Sequence, residues 1–180
     1  MAKALFISTK DIKRYSIMNG NVDNDKFIQY IEIAQEIHIQ NYLGTKLYEK
    51  LETLIIDNEI NDPSNSDYKT LLETYVKPMT IHWAQVEFLP YAAYTISNGG
   101  VYKHTSETAQ SVDKDEVDYL VEQERNVAQH YTRRFIDFMS FNQATYPEYY
   151  LNVNDDMYPD TDSNFTGWVI SLISLFVINI

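Results

Sequence analysis

Four histidines, His38, His82, His104 and His130, are the side chains of this 180-residue chain best suited to proton transfer or metal ligation. A di-iron carboxylate bundle would need a glutamate three residues before an inward histidine, and Gln35, Met79, Val101 and Val127 stand at those places instead. Glu36 and His38 are two residues apart, so on a helix their side chains diverge by about 200° and share no ion. His82 sits beside Trp83 in the most apolar stretch of the chain, and His130 lies close to Arg133 and Arg134. Each reads as a structural histidine held by a hydrogen bond. A metal-binding or enzymatic bundle using His82, Glu87 and His130 is the alternative function. Asp160, Asp162 and Asn164 copy the first three ligand positions of a calcium loop, but Phe165 stands where that loop needs glycine and Ser171 where it needs glutamate. An Asx turn accounts for the same residues. Asn98-Gly99-Gly100 follows a helical pattern and therefore makes no dinucleotide loop, and no Gly-Lys-Ser/Thr phosphate cradle occurs. With no cysteine, thiolate metal sites, disulfides and cysteine nucleophiles are all excluded. No catalytic, cofactor or metal residue is assigned.

The elements that carry these residues read as helices. Ser8 with Asp11 three residues on forms a capping box, and Ile7 can staple onto Ile12, which predicts a short first helix ending near Gly20. Phe27, Ile28, Ile31, Ala34, Ile37, Tyr42 and Leu43 recur at three and four, the stripe of a long helix stopped by Gly44. Thr45 then caps a third helix with Leu47, Leu51, Leu54 and Ile55 inward, an αα-hairpin of antiparallel neighbours. After the turn-rich residues 58–67, Ser66 is expected to cap a helix that Pro78 interrupts near Lys77. Renewed helix is expected through Ile96 with a bend at Pro90, and its all-round apolar part makes it the central buried helix. Residues 101–112 form a long polar loop of the kind that binds or moves. Asp113 with Glu116 opens the last long helix, striped by Val117, Leu120, Val121, Val127, Ala128, Tyr131, Phe135 and Phe138. No strand-like alternation precedes residue 150, so the fold class is an all-α bundle of about five helices with a long polar loop and an extended C-terminal arm.

Composition bounds the partners. With 44% hydrophobic and 14% aromatic residues the chain can build a core, and its length suits one domain. The apolar run at residues 4–7 is too short for a secretory signal, so a cytosolic product is expected. A formal net charge of -12 opposes wrapping of nucleic acid, which needs a basic face. The small basic clusters, Lys10/Lys13/Arg14 and Arg133/Arg134, read as salt-bridge partners. No lysine or arginine follows Arg134, whereas Asp137, Glu148, Asp155, Asp156, Asp160 and Asp162 do. That change of regime divides the chain into a helical domain, 1–141, and an acidic arm with an apolar tail, 142–180. In the arm Tyr146, Tyr149, Tyr150 and Tyr158 have the residue type of an interface rim.

The tail, WVISLISLFVINI over residues 168–180, is too short for a bilayer span and has no basic flank, which argues against a membrane. It can be a core element of its own subunit, or it can dock on another. Its β-branched residues favour extended structure, and an exposed apolar strand left unpartnered is an aggregation hazard. We therefore expect Trp168, Val169, Ile170, Leu172, Ile173, Leu175, Phe176 and Val177 to form a subunit interface.

Three strings, FIQYIEIAQEIHIQNYLGTKLYEKL (27–51), TYVKPMTIHWAQVEFLPYAAYTISNGGVYKHTSE (74–107) and DKDEVDYLVEQERNVAQHYTRRFIDFM (113–139), in this order, resemble the small structural protein of the head-and-neck gene region of crAss-like and related Bacteroidetes-infecting tailed phages. The resemblance rests on the whole-chain pattern and carries no signature motif. It implies a structural virion protein, a head–tail connector of the adaptor kind that docks beneath the portal and extends the DNA channel, with no enzymatic activity and no cofactor. The implied partners are a homo-oligomeric ring of about twelve copies, the portal protein and other neck or tail proteins, with DNA only as passing cargo. A soluble regulator with a partner-binding tail is a third reading, distinguished by staying monomeric.

Overall fold

The N-terminal capping box is present as the sequence requires. Ser8 accepts the Asp11 amide and Asp11 accepts the Ser8 amide, opening α1 (Thr9–Tyr15), while Ile7 and Ile12 are both buried. The computed structural model describes residues 3–16, 24–92, 94–97, 100–103, 113–150 and 156–162. Within them the core is built mainly by helices, in five rods, with Phe6, Ile7 and Tyr146 added from the segments beside them: α1, the rod from α2 (Asn24–Ala34) into α3 (Gln40–Ile56) as far as Gly44, the remainder of α3, the rod from α4 (Ser66–Leu71) into α5 (Lys77–Phe88), and α6 (Lys114–Phe141). A short α7 (Pro147–Tyr150) closes the bundle. The all-α class is therefore observed.

Two rods contain a π-turn, and each alters a sequence expectation. Between α2 and α3 the turn Gln35–Ile39 inserts one extra residue. The apolar face running through Phe27, Ile31 and Ala34 consequently continues at Gln35, His38, Ile39 and Tyr42, and Ile37, expected in the stripe, is 47% exposed. Ile28 also faces outward. In the second rod the π-turn Leu72–Val76 precedes Pro78. The Lys77 amide reaches back to the Leu72 carbonyl, and Lys77 stays helical (φ -59, ψ -50), so the expected break near Lys77 is absent. The wider turn makes room for the proline ring, which would otherwise press on the carbonyl four residues earlier.

Helix α5 is the central element, burying Met79, Thr80, Ile81, Trp83, Ala84, Gln85 and Val86. It ends at Phe88, passes through a 3₁₀ turn at Leu89–Tyr91 that uses Pro90, and does not continue to Ile96. Tyr94–Ser97 (β1) instead pairs antiparallel with Gly100–Lys103 (β2), so the first part of the expected polar loop is a strand. Only Asn98 and Gly99 separate the paired ends Ser97 and Gly100, and Asn-Gly is a strong two-residue hairpin signal. Residues 104–112 lie outside the described set.

Gly44 breaks α3 as its residue type predicts, at φ 71 and ψ 159. The rods on either side meet where Gln35 of the first bonds Tyr48 of the second. The extended segment 3–8 is held between them by Gln35, whose Oε1 accepts the Phe6 amide at 2.7 Å and whose Nε2 donates to the Ala4 carbonyl at 3.0 Å and the Tyr48 hydroxyl at 3.1 Å. The next helix starts after a 3₁₀ turn at Pro63–Asn65, with Asn65 and not Ser66 in the N-cap position.

Candidate functional site

Two of the histidines settle into carboxylate pairs inside the bundle. His38, carried inward by the π-turn, stacks on Trp83 with ring centroids 3.9 Å apart, and its Nε2 lies 2.8 Å from Glu87 Oε1. An ionised carboxylate only accepts, so His38 donates from Nε2. On the other side of α5, His82 Nδ1 lies 2.5 Å from Glu124 Oε1, which also receives the Gln85 amide, and the His82 ring stacks on Tyr131. Glu124 and Gln85 are buried. The buried carboxylate is thus satisfied by two donors from one turn of α5, an arrangement that fixes the rotation of α6 against α5. Trp83 Nε1 donates to Thr132 Oγ1 at 3.0 Å two turns further along the same seam.

Consequently His82, Glu87 and His130 do not converge. Glu87 serves His38, His82 serves Glu124, and His130 is exposed with its ring edge-on to Tyr131. Among the described residues no group of three or more His, Cys, Asp or Glu could hold a metal ion. Asp160 is likewise engaged: its Oδ1 accepts the Asp162 amide at 2.8 Å, the expected Asx turn, and its Oδ2 the Asn41 amide nitrogen at 3.4 Å. Asn164 lies outside the described residues, as does His104. Arg134 lies 5.0 Å over the Tyr75 ring, and Arg14 over Tyr15.

A cleft of about 370 Å³ opens beside His82, lined by Asp11, Tyr15, Glu73, Lys77 and Tyr131 among others. Its charges are already committed. Asp11 accepts from the Ser8 amide and hydroxyl, which with Lys77 and Lys10 nearby hold its carboxyl below the usual range against the opposing effect of burial, and Lys77 pairs with Glu73 at 2.8 Å.

The stretch after Phe141 behaves differently from the free arm expected of it, as far as Asp162. Tyr146 and Tyr149 are core residues of their own subunit: Tyr149 packs edge-on to Phe135, and the Tyr146 hydroxyl donates to the Asp67 carbonyl at 3.0 Å. Tyr150 donates to the Met139 carbonyl, and Tyr158 is exposed. Residues 156–162 then form a strap across the Gly44 break. The Thr45 amide donates to the Met157 carbonyl at 3.0 Å, the Met157 amide to Thr45 Oγ1 at 3.1 Å, and the Asp160 amide to the Asn41 carbonyl at 2.9 Å. These bonds satisfy the backbone groups that a broken helix leaves open. A Cβ on Gly44 would sit 2.7 Å from Pro159 Cδ, so strap and break fit only with glycine there. The eight tail residues expected at a subunit interface, Trp168 to Val177, lie outside the described residues.

A family model described as a family of unknown function, DUF6712, matches residues 39–157. The chain belongs to the DUF6712 family. The matched span starts at the last residue of the first π-turn and closes at Met157, the strap residue bonded to Thr45, so the DUF6712 region contains the Gly44 break and the first two residues of the strap. Neither a curated protein nor a solved structure matches the chain. Among the described residues no helix is long and apolar enough to cross a membrane.

Proposed function

We propose that this DUF6712 protein is a structural virion component of a tailed phage, a connector subunit that assembles into a ring beneath the portal and extends the DNA channel. The observation that carries the reading is the strap. It fastens residues 156–162 to the Gly44 break, and the sequence after it, 163–180, contains no Asp, Glu, Lys or Arg and ends in the apolar run 168–180. A chain of net charge -12 with an anchored, uncharged apolar extension has the makings of an interlocking subunit. Acidity suits a channel wall, because DNA phosphates meet no basic face to hold them. The helical fold and the resemblance of the three strings to phage neck proteins support the same reading. The histidine pairs, each closed between neighbouring helices, serve the bundle.

Light scattering on the purified chain, with and without residues 168–180, tests the proposal. A large discrete oligomer that falls to monomer on truncation, seen as closed rings by electron microscopy, is the expected result. A monomer in both forms, and no binding to a tailed-phage portal protein, would overturn the connector reading.

A further inference from the structure

Helix α6 begins in a place where the rest of the bundle gives it little cover. Its start is fixed, since Asp113 and Glu116 form a closed capping box. Yet from Lys114 to Gln123 every residue is exposed except the half-buried Val117 and Val121, and the first buried residue is Glu124. Of these early turns only Val121 packs against the core cluster. The inward-facing stripe of α6 nevertheless continues through them: Val117, Leu120 and Val127 repeat at helical spacing, with Leu120 41% and Val127 38% exposed. Tyr119, 64% exposed, and Leu120 line a shallow groove with Asp115 and Glu116. A single exposed apolar residue is ordinary, whereas a periodic row of them on a well-capped helix is a face left unpartnered among the described residues.

We propose that this face is the seat of the chain's own apolar segment, residues 168–180. The composition of the two surfaces carries the assignment. The face is aliphatic and aromatic with an acidic rim, Asp115, Glu116, Asp118 and Glu122, which repels a partner carrying carboxylates. Residues 163–180 are free of charged side chains, and the aspartates before them are kept away because the strap holds Asp160 at Asn41. The strap sets where the segment starts, at Asn41 and the Gly44 break, and the eleven residues from Asp162 to Ile173 can extend over about 36 Å, enough for a seat on the same body or on a neighbouring copy. Delivery by a neighbour rests on the ring reading above; the seat does not.

The absence of cysteine makes the test direct. The full-length chain carrying Leu120→Cys and Ile173→Cys is oxidised and run on a non-reducing gel, beside a control pairing Ile173→Cys with Ile56→Cys at the exposed end of α3. The 120/173 pair is expected to link at least tenfold faster than the control and to give a ladder of multimers. Mixed single-cysteine chains are expected to link between copies. Both positions on α6 and α3 are exposed, and circular dichroism verifies that each variant is folded. Equal rates for the two pairs would overturn the seat, including the case in which a different protein occupies it. Rapid linking within single chains would establish the seat and overturn delivery by a neighbour, and with it the interlocked ring.

Discussion

Gly44 shows how one residue joins two levels of the structure. Its type announces a helix stop in the sequence, and the break is there, but the reason no other residue serves is long-range: Pro159, more than a hundred positions away, packs where a Cβ would stand. Gly44→Ala therefore meets two penalties, a backbone conformation that side chains rarely adopt and a contact with the strap. We expect a loss of about 2–4 kcal/mol in urea unfolding, with hydrogen exchange rising first at the Thr45 and Asp160 amides, which the strap protects. Unchanged exchange at those two amides would separate the glycine from the strap. The histidines teach the converse. Their local settings correctly suggested bonded structural residues, but the partners, Glu87 for His38 and Glu124 for His82, lie more than forty residues away on other helices. Nothing in spacing points to them, and residue type alone suggests the trio His82, Glu87 and His130.

At the scale of elements, capping was the most legible feature, because a capping box needs only residues three apart. Both Ser8/Asp11 and Asp113/Glu116 close as the sequence states. Central burial of α5 was legible from its all-round apolar character. The two π-turns were not, since a wide turn leaves no residue-type signature and shows only as a slip in the periodicity, a buried Gln35 and His38 where Ile37 was expected. The hairpin did leave a signal, Asn98-Gly99, which was overridden by the apolar run before it. The slip suggests a deletion experiment. Removing Ile37 takes out the exposed extra residue and restores α-helical phase across the turn, so the chain is expected to fold with stability within about 1.5 kcal/mol of the parent by chemical denaturation. Removing Gln129 from α6, a helix with no wide turn to absorb the loss, instead rotates one half against the other by about 100° and is expected to abolish cooperative folding. If both deletions were equally damaging, the π-turn would not be the source of the phase shift.

Across the whole molecule, tyrosine does what the shift to an acidic, cation-free sequence after Arg134 concealed: it ties the late residues into the body. The acidic residues drew attention to an arm, while Tyr146 and Tyr149 were already core residues of the same subunit. Their burial makes a prediction about pH. Burial, with Asp67 and Tyr75 nearby, pushes the Tyr146 phenol up to about 12, and burial likewise raises Tyr149 and Tyr42, whose hydroxyls are enclosed without a hydrogen-bond partner. An unfolded tyrosine ionises near pH ~10. Between that value and about 12 the folded chain therefore binds more protons than the unfolded one, so stability is complete below pH ~10 and falls as pH rises. Each buried phenol contributes a slope of about 1.4 kcal/mol per pH unit, and the three together about 4, enough to exhaust the stability of a small domain within two to three units. Phenolate absorbance is expected to rise in two stages, the later one steep and coincident with loss of helical circular dichroism. Tyr146→Phe removes one of these raised phenols and its bond to the Asp67 carbonyl, so it should cost about 1 kcal/mol at pH 7 and yet lessen the steepness of the alkaline loss. A single smooth titration near pH ~10 with the helices intact would mean that these rings reach solvent, and the late segment would then be an arm after all.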